Sequence, residues 1–145
     1  MQRMEKEMSK HNEGTNMTLP ELLRYMQFYA HMAHNIIGGE YFFGDHEFFG
    51  SLYEDYEKAY DSVIERMIGL GESIDLAKTQ KAATQGLKAP KTCKEALEEI
   101  LSCEEDLCKA LEGLAKDASL GTNNLLAALA DESEARQYKL KQRLK

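Results

Sequence analysis

The sequence predicts an all-α protein built as a four-helix bundle. Apolar residues recur at helical spacing in four long segments, two T-x-x-E capping boxes mark helix starts, and the alternation typical of strands is absent. The composition agrees, because 43% hydrophobic and 30% charged residues with only 2 Pro are typical of a soluble, helix-rich chain. At 145 residues the chain is long enough to bury a core of its own.

The first two helices are predicted in the N-terminal half. The first begins at the capping box Thr18-Leu-Pro-Glu21 and carries Pro20 in its first turn, where proline is tolerated. It is predicted to end near Gly38-Gly39, since glycine suits a C-terminal turn. A second, longer helix is predicted from around Tyr41–Asp45 to about Leu70.

The second half contains a long connection and two further helices. Residues 73–91 are too many for a tight turn and are predicted to hold a short helix from Asp75 to about Ala83. Thr92-Cys-Lys-Glu95 is predicted to start the third long helix, and Gly121-Thr122 to introduce the fourth. Four long helices, with a crossover between the second and the third, describe a ferritin-like bundle.

Charge and composition narrow the function classes. The net charge of −7 argues against a body that binds nucleic acid unaided, but suits the attraction of cations.

Residues 1–16 lack apolar periodicity and are predicted to form a flexible arm, which leaves 17–145 as the bundle domain. No apolar run approaches 18 residues and the N-terminus is polar, so we expect neither a membrane span nor a signal peptide. The three cysteines are expected to be reduced thiols in a cytoplasmic protein.

Two histidines and two acidic residues form a candidate iron ligand set: His34, His46, Asp61 and Glu65. Asp61 and Glu65 lie one helical turn apart and share a face. His46 and Asp61 are 15 residues apart in one helix, which is roughly 22 Å and too far for one metal ion. Either the four residues are unrelated, or a second copy of the chain brings its carboxylates to the first copy's histidines across a two-fold axis.

A structural explanation of these residues stays open beside the metal hypothesis. His31 and His34 could be hydrogen-bonded core histidines. Asp61 and Glu65 could belong to a solvated stripe that also includes Glu57 and Lys58.

The residues around the four resemble the signature of the Dps mini-ferritins, the DNA-protection-during-starvation proteins. Spacings of 12 from His34 to His46, 15 to Asp61 and 4 to Glu65 match the pattern without a gap. The matching residues are Ala33-His34, Gly38 or Gly39, Phe42 or Phe43, His46-Glu47, Leu52-Tyr53, Asp61, Glu65-Arg66 and Leu70-Gly71.

The resemblance implies a function and an assembly. His34 and His46 would be iron ligands from one subunit, and Asp61 and Glu65 ligands from its two-fold mate. The family assembles as a hollow dodecamer, oxidises Fe(II) with hydrogen peroxide or oxygen, and stores ferric mineral, which protects the cell against oxidative stress. The alternative is a DNA-binding or structural shell of the same fold whose ferroxidase site is weakened or lost.

The chain also departs from the family pattern. Asn35 stands where the family often has Trp, so a tyrosine would have to replace that residue if it supplies electrons. Gly50 replaces a carboxylate, which puts the second iron position in question. Accessory ligands that could compensate are His31, Glu47 and Glu54. No glutamate precedes a histidine by three positions, so the di-iron motif of full-sized ferritins is absent from the sequence.

The C-terminal segment is the candidate DNA contact, because several family members bind DNA through basic tails. The alternative is that its cations complement the negative end of the last helix dipole. The residues concerned are Arg136, Lys139, Lys141, Arg143 and Lys145.

Overall fold

The computed structural model describes residues 17–145, and within this range the chain forms five helices and no strand. The predicted arm, residues 1–16, lies outside the described residues. The all-α prediction is confirmed, as is the short helix in the crossover. No helix in residues 17–145 combines the length and the apolar character needed to cross a membrane. The helices are α1 (Leu19–Ile36), α2 (Phe42–Gly69), α3 (Leu76–Thr84), α4 (Cys93–Ala115) and α5 (Leu120–Arg143).

Side-chain caps fix where these helices begin. At α1, the Thr18 hydroxyl accepts from the Glu21 main chain and the Glu21 carboxylate accepts from the Thr18 main chain, which completes the predicted capping box. Thr92 caps α4 by accepting from the Glu95 main chain. The carboxylate of Glu95, however, accepts from the main chain of Lys91 rather than of Thr92.

The predicted start of the last helix is wrong by about two residues. Ser119 caps α5 by accepting a hydrogen bond from the main-chain N–H of Thr122, so the helix begins at Leu120 and Gly121 lies inside it. A serine hydroxyl is a stronger N-cap than the Gly-Thr pair on which the prediction relied. α1 ends at Ile36, slightly before the predicted glycines, and Gly39 takes a left-handed backbone with φ of 105° in the loop to α2.

The core lies between the four long helices, with α1 packed most closely on α2 and α4 on α5. Burial of these apolar side chains is the main driving force for the bundle. Its largest fully buried members are Leu22, Leu23, Met26, Phe49, Leu52, Tyr56, Leu97, Ile100, Leu107, Leu111 and Leu126.

One charged cluster lies inside this apolar core. Glu104 of α4 is fully buried and accepts hydrogen bonds from Tyr56 of α2 and from Ser133 and Arg136 of α5. Burial, followed by the nearby Glu104 carboxylate, raises the pKa of Tyr56 well above its ordinary value. The cluster therefore joins three helices through one carboxylate.

Candidate metal centre

His34 and His46 hold each other in place through two reciprocal hydrogen bonds. Nδ1 of each ring lies 2.7 Å from the main-chain carbonyl oxygen of the other residue. Their rings stack with centroids 3.8 Å apart. Because a carbonyl oxygen can only accept, each Nδ1 carries a hydrogen, and the matching tautomer of each ring has its lone pair on Nε2. Both histidines are therefore oriented as metal ligands commonly are, with the second ring nitrogen bound to the protein.

The helix ends explain why this pair forms. His34 lies in the last turn of α1, where main-chain carbonyls lack a partner within the helix. The Nδ1 of His46 supplies a partner for one of these carbonyls. The short loop through Gly39 brings the start of α2 back alongside the end of α1. The histidine pair therefore also links the end of α1 to the start of α2.

Gly50 leaves room for the ring of His34. A Cβ at position 50 would lie 3.1 Å from both Cε1 and Nδ1 of His34, which is tighter than most real contacts. A carboxylate at this position would therefore require the His34 ring to move. The absence of a side chain at Gly50 therefore allows the observed orientation of the His34 ring.

A continuous row of aromatic rings runs along the α1–α2 interface. His31 stacks on Tyr53 at 4.0 Å between centroids, and Tyr53 meets His34 edge-on at 5.4 Å. Beyond the histidine pair, His46 stacks on Phe42 at 5.0 Å. These separations are those of favourable ring contacts, so the row limits how far either histidine can turn.

An ion pair links the start of α2 to the end of α5. Asp45 accepts two hydrogen bonds of 3.0 Å from the Arg143 guanidinium and one of 3.1 Å from the Cys93 thiol. Burial alone would raise the pKa of Asp45, but the bonds from Arg143 and Cys93 outweigh it and lower the pKa. Only a weak signal of this contact is present in the sequence. An acid lies in the first turn of one helix and a cation in the last turn of another, a pattern that helix dipoles favour in any helical protein.

Asp61 and Glu65 lie on the exposed side of α2, away from the histidines. α2 runs unbroken from Phe42 to Gly69, so the estimate of roughly 22 Å between His46 and Asp61 applies directly. Within residues 17–145, no three histidine, cysteine or acidic side chains come close enough to hold a metal ion. A single chain therefore brings the two histidines together, and separately the two carboxylates, but not all four.

The three candidate accessory ligands differ in their surroundings. His31 is exposed and belongs to the aromatic row, where it covers one face of Tyr53. Glu47 and Glu54 are exposed on α2. The His31 ring centroid lies 6.3 Å from that of His34, but within residues 17–145 none of the three completes a metal-binding group with the histidine pair.

The C-terminal cations do not act as one basic tail. Arg136 is 8% exposed and pairs with the buried Glu104 at 2.7 Å, and Arg143 is bound to Asp45. Both side chains therefore have an acidic partner within the chain, and a DNA contact by these two arginines stays a prediction. Lys139, Lys141 and Lys145 are exposed.

Residues 13–145 match the family model of the ferritin-like domain. The chain belongs to the ferritin-like family. None of the curated proteins is close enough in sequence to count as a relative.

Solved structures of Dps proteins share the fold of this ferritin-like chain. Dps from Thermosynechococcus elongatus superposes with a TM-score of 0.83 at 19% identity, over 99% of this chain and 91% of that one. Dps from Vibrio cholerae, described as a member of a broad superfamily of ferritin-like diiron-carboxylate proteins, gives 0.71 at 22% identity, over 99% and 90%. Dps from Microbacterium arborescens in the high iron form gives 0.69 at 20% identity, over 87% and 89%. The predicted mini-ferritin fold is confirmed.

Proposed function

We propose that this chain is an iron-sequestering mini-ferritin. It oxidises Fe(II) to Fe(III), with hydrogen peroxide as the favoured oxidant, at sites shared between subunits, and stores ferric mineral in a hollow dodecamer in the cytoplasm. The observation that carries the proposal is the reciprocal His34–His46 pair, which leaves both Nε2 lone pairs available. Iron is the substrate of this reaction.

The donor set fits iron. Imidazole nitrogen binds Fe(II) well, and carboxylate oxygen favours the ferric product. The histidines are held rigidly by their hydrogen bonds and by the aromatic row. Asp61 and Glu65 are exposed and one turn apart, so both carboxylates can face a neighbouring subunit. Two-fold symmetry then forms two identical sites for each pair of subunits.

Each group has a defined task in the reaction. His34 and His46 bind the incoming Fe(II) and fix its position. Asp61 and Glu65 of the second subunit neutralise the charge that the ion gains on oxidation. With few ligands the product is held weakly, so Fe(III) can leave to join the mineral. Consumption of peroxide together with Fe(II) protects against oxidative stress.

Mixing of variants tests the shared site. His46→Ala and Asp61→Ala are each expected to abolish peroxide-driven iron oxidation. When they are co-refolded in equal amounts, half of the pairs are mixed, and one of the two sites in each mixed pair is intact. About a quarter of the wild-type sites should therefore return, because a two-fold axis repeats each contact.

A matched mixture provides the control. His34→Ala mixed with His46→Ala damages both sites of every mixed pair, so no activity should return. If the first mixture restores nothing although mixed pairs form, the shared site is refuted.

A DNA-binding or structural shell is the second candidate function, and Gly50 favours it. The position that carries a carboxylate in the resembling family is filled here by the approach of His34. A shell that retains DNA but consumes no Fe(II) would support this candidate over the first.

A further inference from the structure

A second group of side chains with oxygen and sulfur donors lies where α1 packs against α4. α1 supplies the phenols of Tyr25 and Tyr29, whose rings stack with centroids 5.9 Å apart. α4 supplies Glu95, Glu99 and Cys103, which follow one another at four-residue spacing and therefore share a face. Glu99 and Cys103 both lie within electrostatic reach of both phenols. These five residues are called the phenol cluster.

The phenol cluster faces away from the histidine pair. Tyr29 precedes His34 by five residues and Tyr25 precedes it by nine. In an α-helix these spacings turn the two side chains by roughly 140° and 180° from that of His34. The cluster is therefore separate from the aromatic row and from the proposed iron site.

The hydroxyl group of Tyr29 lacks a hydrogen-bond partner. The side chain is only 3% exposed, yet within residues 17–145 no other residue bonds to its oxygen. Polar groups on buried side chains nearly always have a partner in the protein, in ordered water or in an ion. A water molecule or an ion is therefore expected at this hydroxyl.

The surroundings of the hydroxyl favour a cation. Burial, followed by the Glu99 carboxylate, raises the pKa of Tyr29, and Tyr25, Glu95 and Cys103 act in the same direction. Burial and Glu99 also raise the pKa of the Cys103 thiol, which donates to the Glu99 carboxylate at 3.4 Å. Among residues 17–145 no cationic side chain offsets these influences at either group. Two carboxylates beside a buried phenol thus lack a counter-charge.

The donor set suits ferric iron. Phenol and carboxylate oxygens are hard donors, which a trivalent ion prefers. No three histidine, cysteine or acidic side chains of residues 17–145 come close enough to hold a metal ion, so a phenol oxygen is needed to complete the set. The raised pKa keeps Tyr29 protonated in the metal-free protein. A bound trivalent ion reverses this preference, because its own charge stabilises the phenolate.

We propose that the phenol cluster binds one Fe(III), with the Tyr29 oxygen and the Glu99 carboxylate as ligands and Tyr25 beside them. Binding releases the phenolic proton of Tyr29 to water and changes no oxidation state. Both ligands belong to one chain. Unlike the proposed iron site, this site is therefore complete without a second subunit.

Titration of the assembled, iron-free protein with ferric nitrilotriacetate tests the assignment. Wild type should develop the visible charge-transfer band of a phenolate bound to Fe(III), with saturation at one ion for each chain. Tyr29→Phe should lose the band and bind Fe(III) roughly 10–100-fold more weakly. It should fold normally, since the hydroxyl that it removes has no partner. Glu99→Gln keeps an acceptor for the Cys103 thiol and should weaken binding to a similar extent. Tyr138→Phe, at an exposed position on α5, should behave as wild type.

His46→Ala separates this site from the proposed iron site. Because Fe(III) is supplied directly, no oxidation is required, and His46→Ala should keep the full band. The assignment is overturned if wild type develops no band, if the band survives Tyr29→Phe, or if it disappears in His46→Ala. These results leave the proposed function standing, since peroxide-driven oxidation of Fe(II) tests that function separately. Failure of that oxidation with an intact band would remove the proposed function alone.

Discussion

His34 and His46 each donate from Nδ1 to the main-chain carbonyl of the other, so each ring is positioned by the residue that it positions. One of these bonds also satisfies a carbonyl in the last turn of α1. The pair is therefore both a candidate iron ligand set and a fastening between two helices, and the two roles use different nitrogen atoms.

Two substitutions at His46 should separate these roles. Asparagine places an N–H near the position of Nδ1 and has nothing at Nε2, whereas glutamine places its amide near Nε2 and loses the Nδ1 bond. We expect His46→Asn to stay close to wild type in stability but to bind no Fe(II). His46→Gln should lower the free energy of unfolding by about 1 kcal/mol, the net contribution of one hydrogen bond. Denaturant unfolding and anaerobic calorimetry with Fe(II) measure the two effects, and Fe(II) binding by His46→Asn would contradict the assignment of Nε2.

Gly50→Ala should change the site more than the stability. Alanine gains about 1 kcal/mol of helix propensity over glycine. The new methyl group would press on the His34 ring at 3.1 Å, and such overpacking costs about 1–3 kcal/mol. The net loss in the free energy of unfolding should therefore be no more than about 2 kcal/mol. The displaced ring should also lower the rate of iron oxidation.

Gly113→Ala is the matched control for position 50, because a Cβ there meets nothing within 4 Å. It should leave iron oxidation unchanged and raise stability by up to about 1 kcal/mol. Equal oxidation rates in Gly50→Ala and Gly113→Ala would show that the contact with His34 does not matter.

The buried Glu104–Arg136 pair should be costly to break from one side. Glu104→Gln leaves the charge of Arg136 uncompensated inside the bundle, and such changes cost about 3–5 kcal/mol. Adding Arg136→Met removes that charge and should recover most of the loss. Chemical denaturation of the single and double variants gives the coupling directly. Lys94→Ala, in an exposed pair with Glu98, is the control and should change little. Additive losses in the double variant would rule out the coupling.

Cys93 should react slowly with electrophiles at neutral pH. Burial, followed by the hydrogen bond to Asp45, raises the pKa of its thiol from 9.0 to about 11. The thiolate is the reactive form, so at pH 8 about 100-fold less of it is present than in an unperturbed thiol. Alkylation by iodoacetamide, followed by mass spectrometry of the Cys93 peptide, should be slower than for a free thiol by about that factor and should rise until about pH 11. A rate that levels off near pH 9 would contradict the shift.

DNA retention, if it occurs, should depend on the three exposed C-terminal lysines. We expect a weak gel shift at low salt that is lost at physiological salt, because few phosphates can be neutralised by each chain. Lys139→Gln, Lys141→Gln and Lys145→Gln combined should abolish the shift and leave iron oxidation unchanged. These substitutions are preferable to deletion of residues 140–145, which would also remove the bond from Arg143 to Asp45. Binding that persists at high salt would instead point to a contact outside this segment.

The sequence predicted the helices better than the polar contacts between them. Periodicity and the caps at Thr18 and Asp75 depend on residues close in sequence, so the bounds of α1 and α3 follow from local rules. The pairing of Arg136 with Glu104 joins positions 32 apart, and no local pattern marks it. From the sequence both arginines near the C-terminus look like a solvated basic tail.

The sequence pointed to the two histidines that the structure brings together, but not to the geometry of their pairing. The 15-residue spacing of His46 and Asp61 within one helix already predicted that a single chain does not bring all four residues together. The reciprocal bonds could not be foreseen, because they depend on how the loop through Gly39 returns the chain. The ligand roles of Asp61 and Glu65 stay predictions, as does the division between the arm and the bundle.

Gly50 also limits how this protein can change over generations. The volume that a side chain at this position would need is already filled by the His34 ring. A substitution by aspartate would therefore press on the His34 ring before its carboxylate could bind anything. An acid at this position becomes compatible with the fold only after the His34 ring has shifted, so it requires two coordinated changes rather than one.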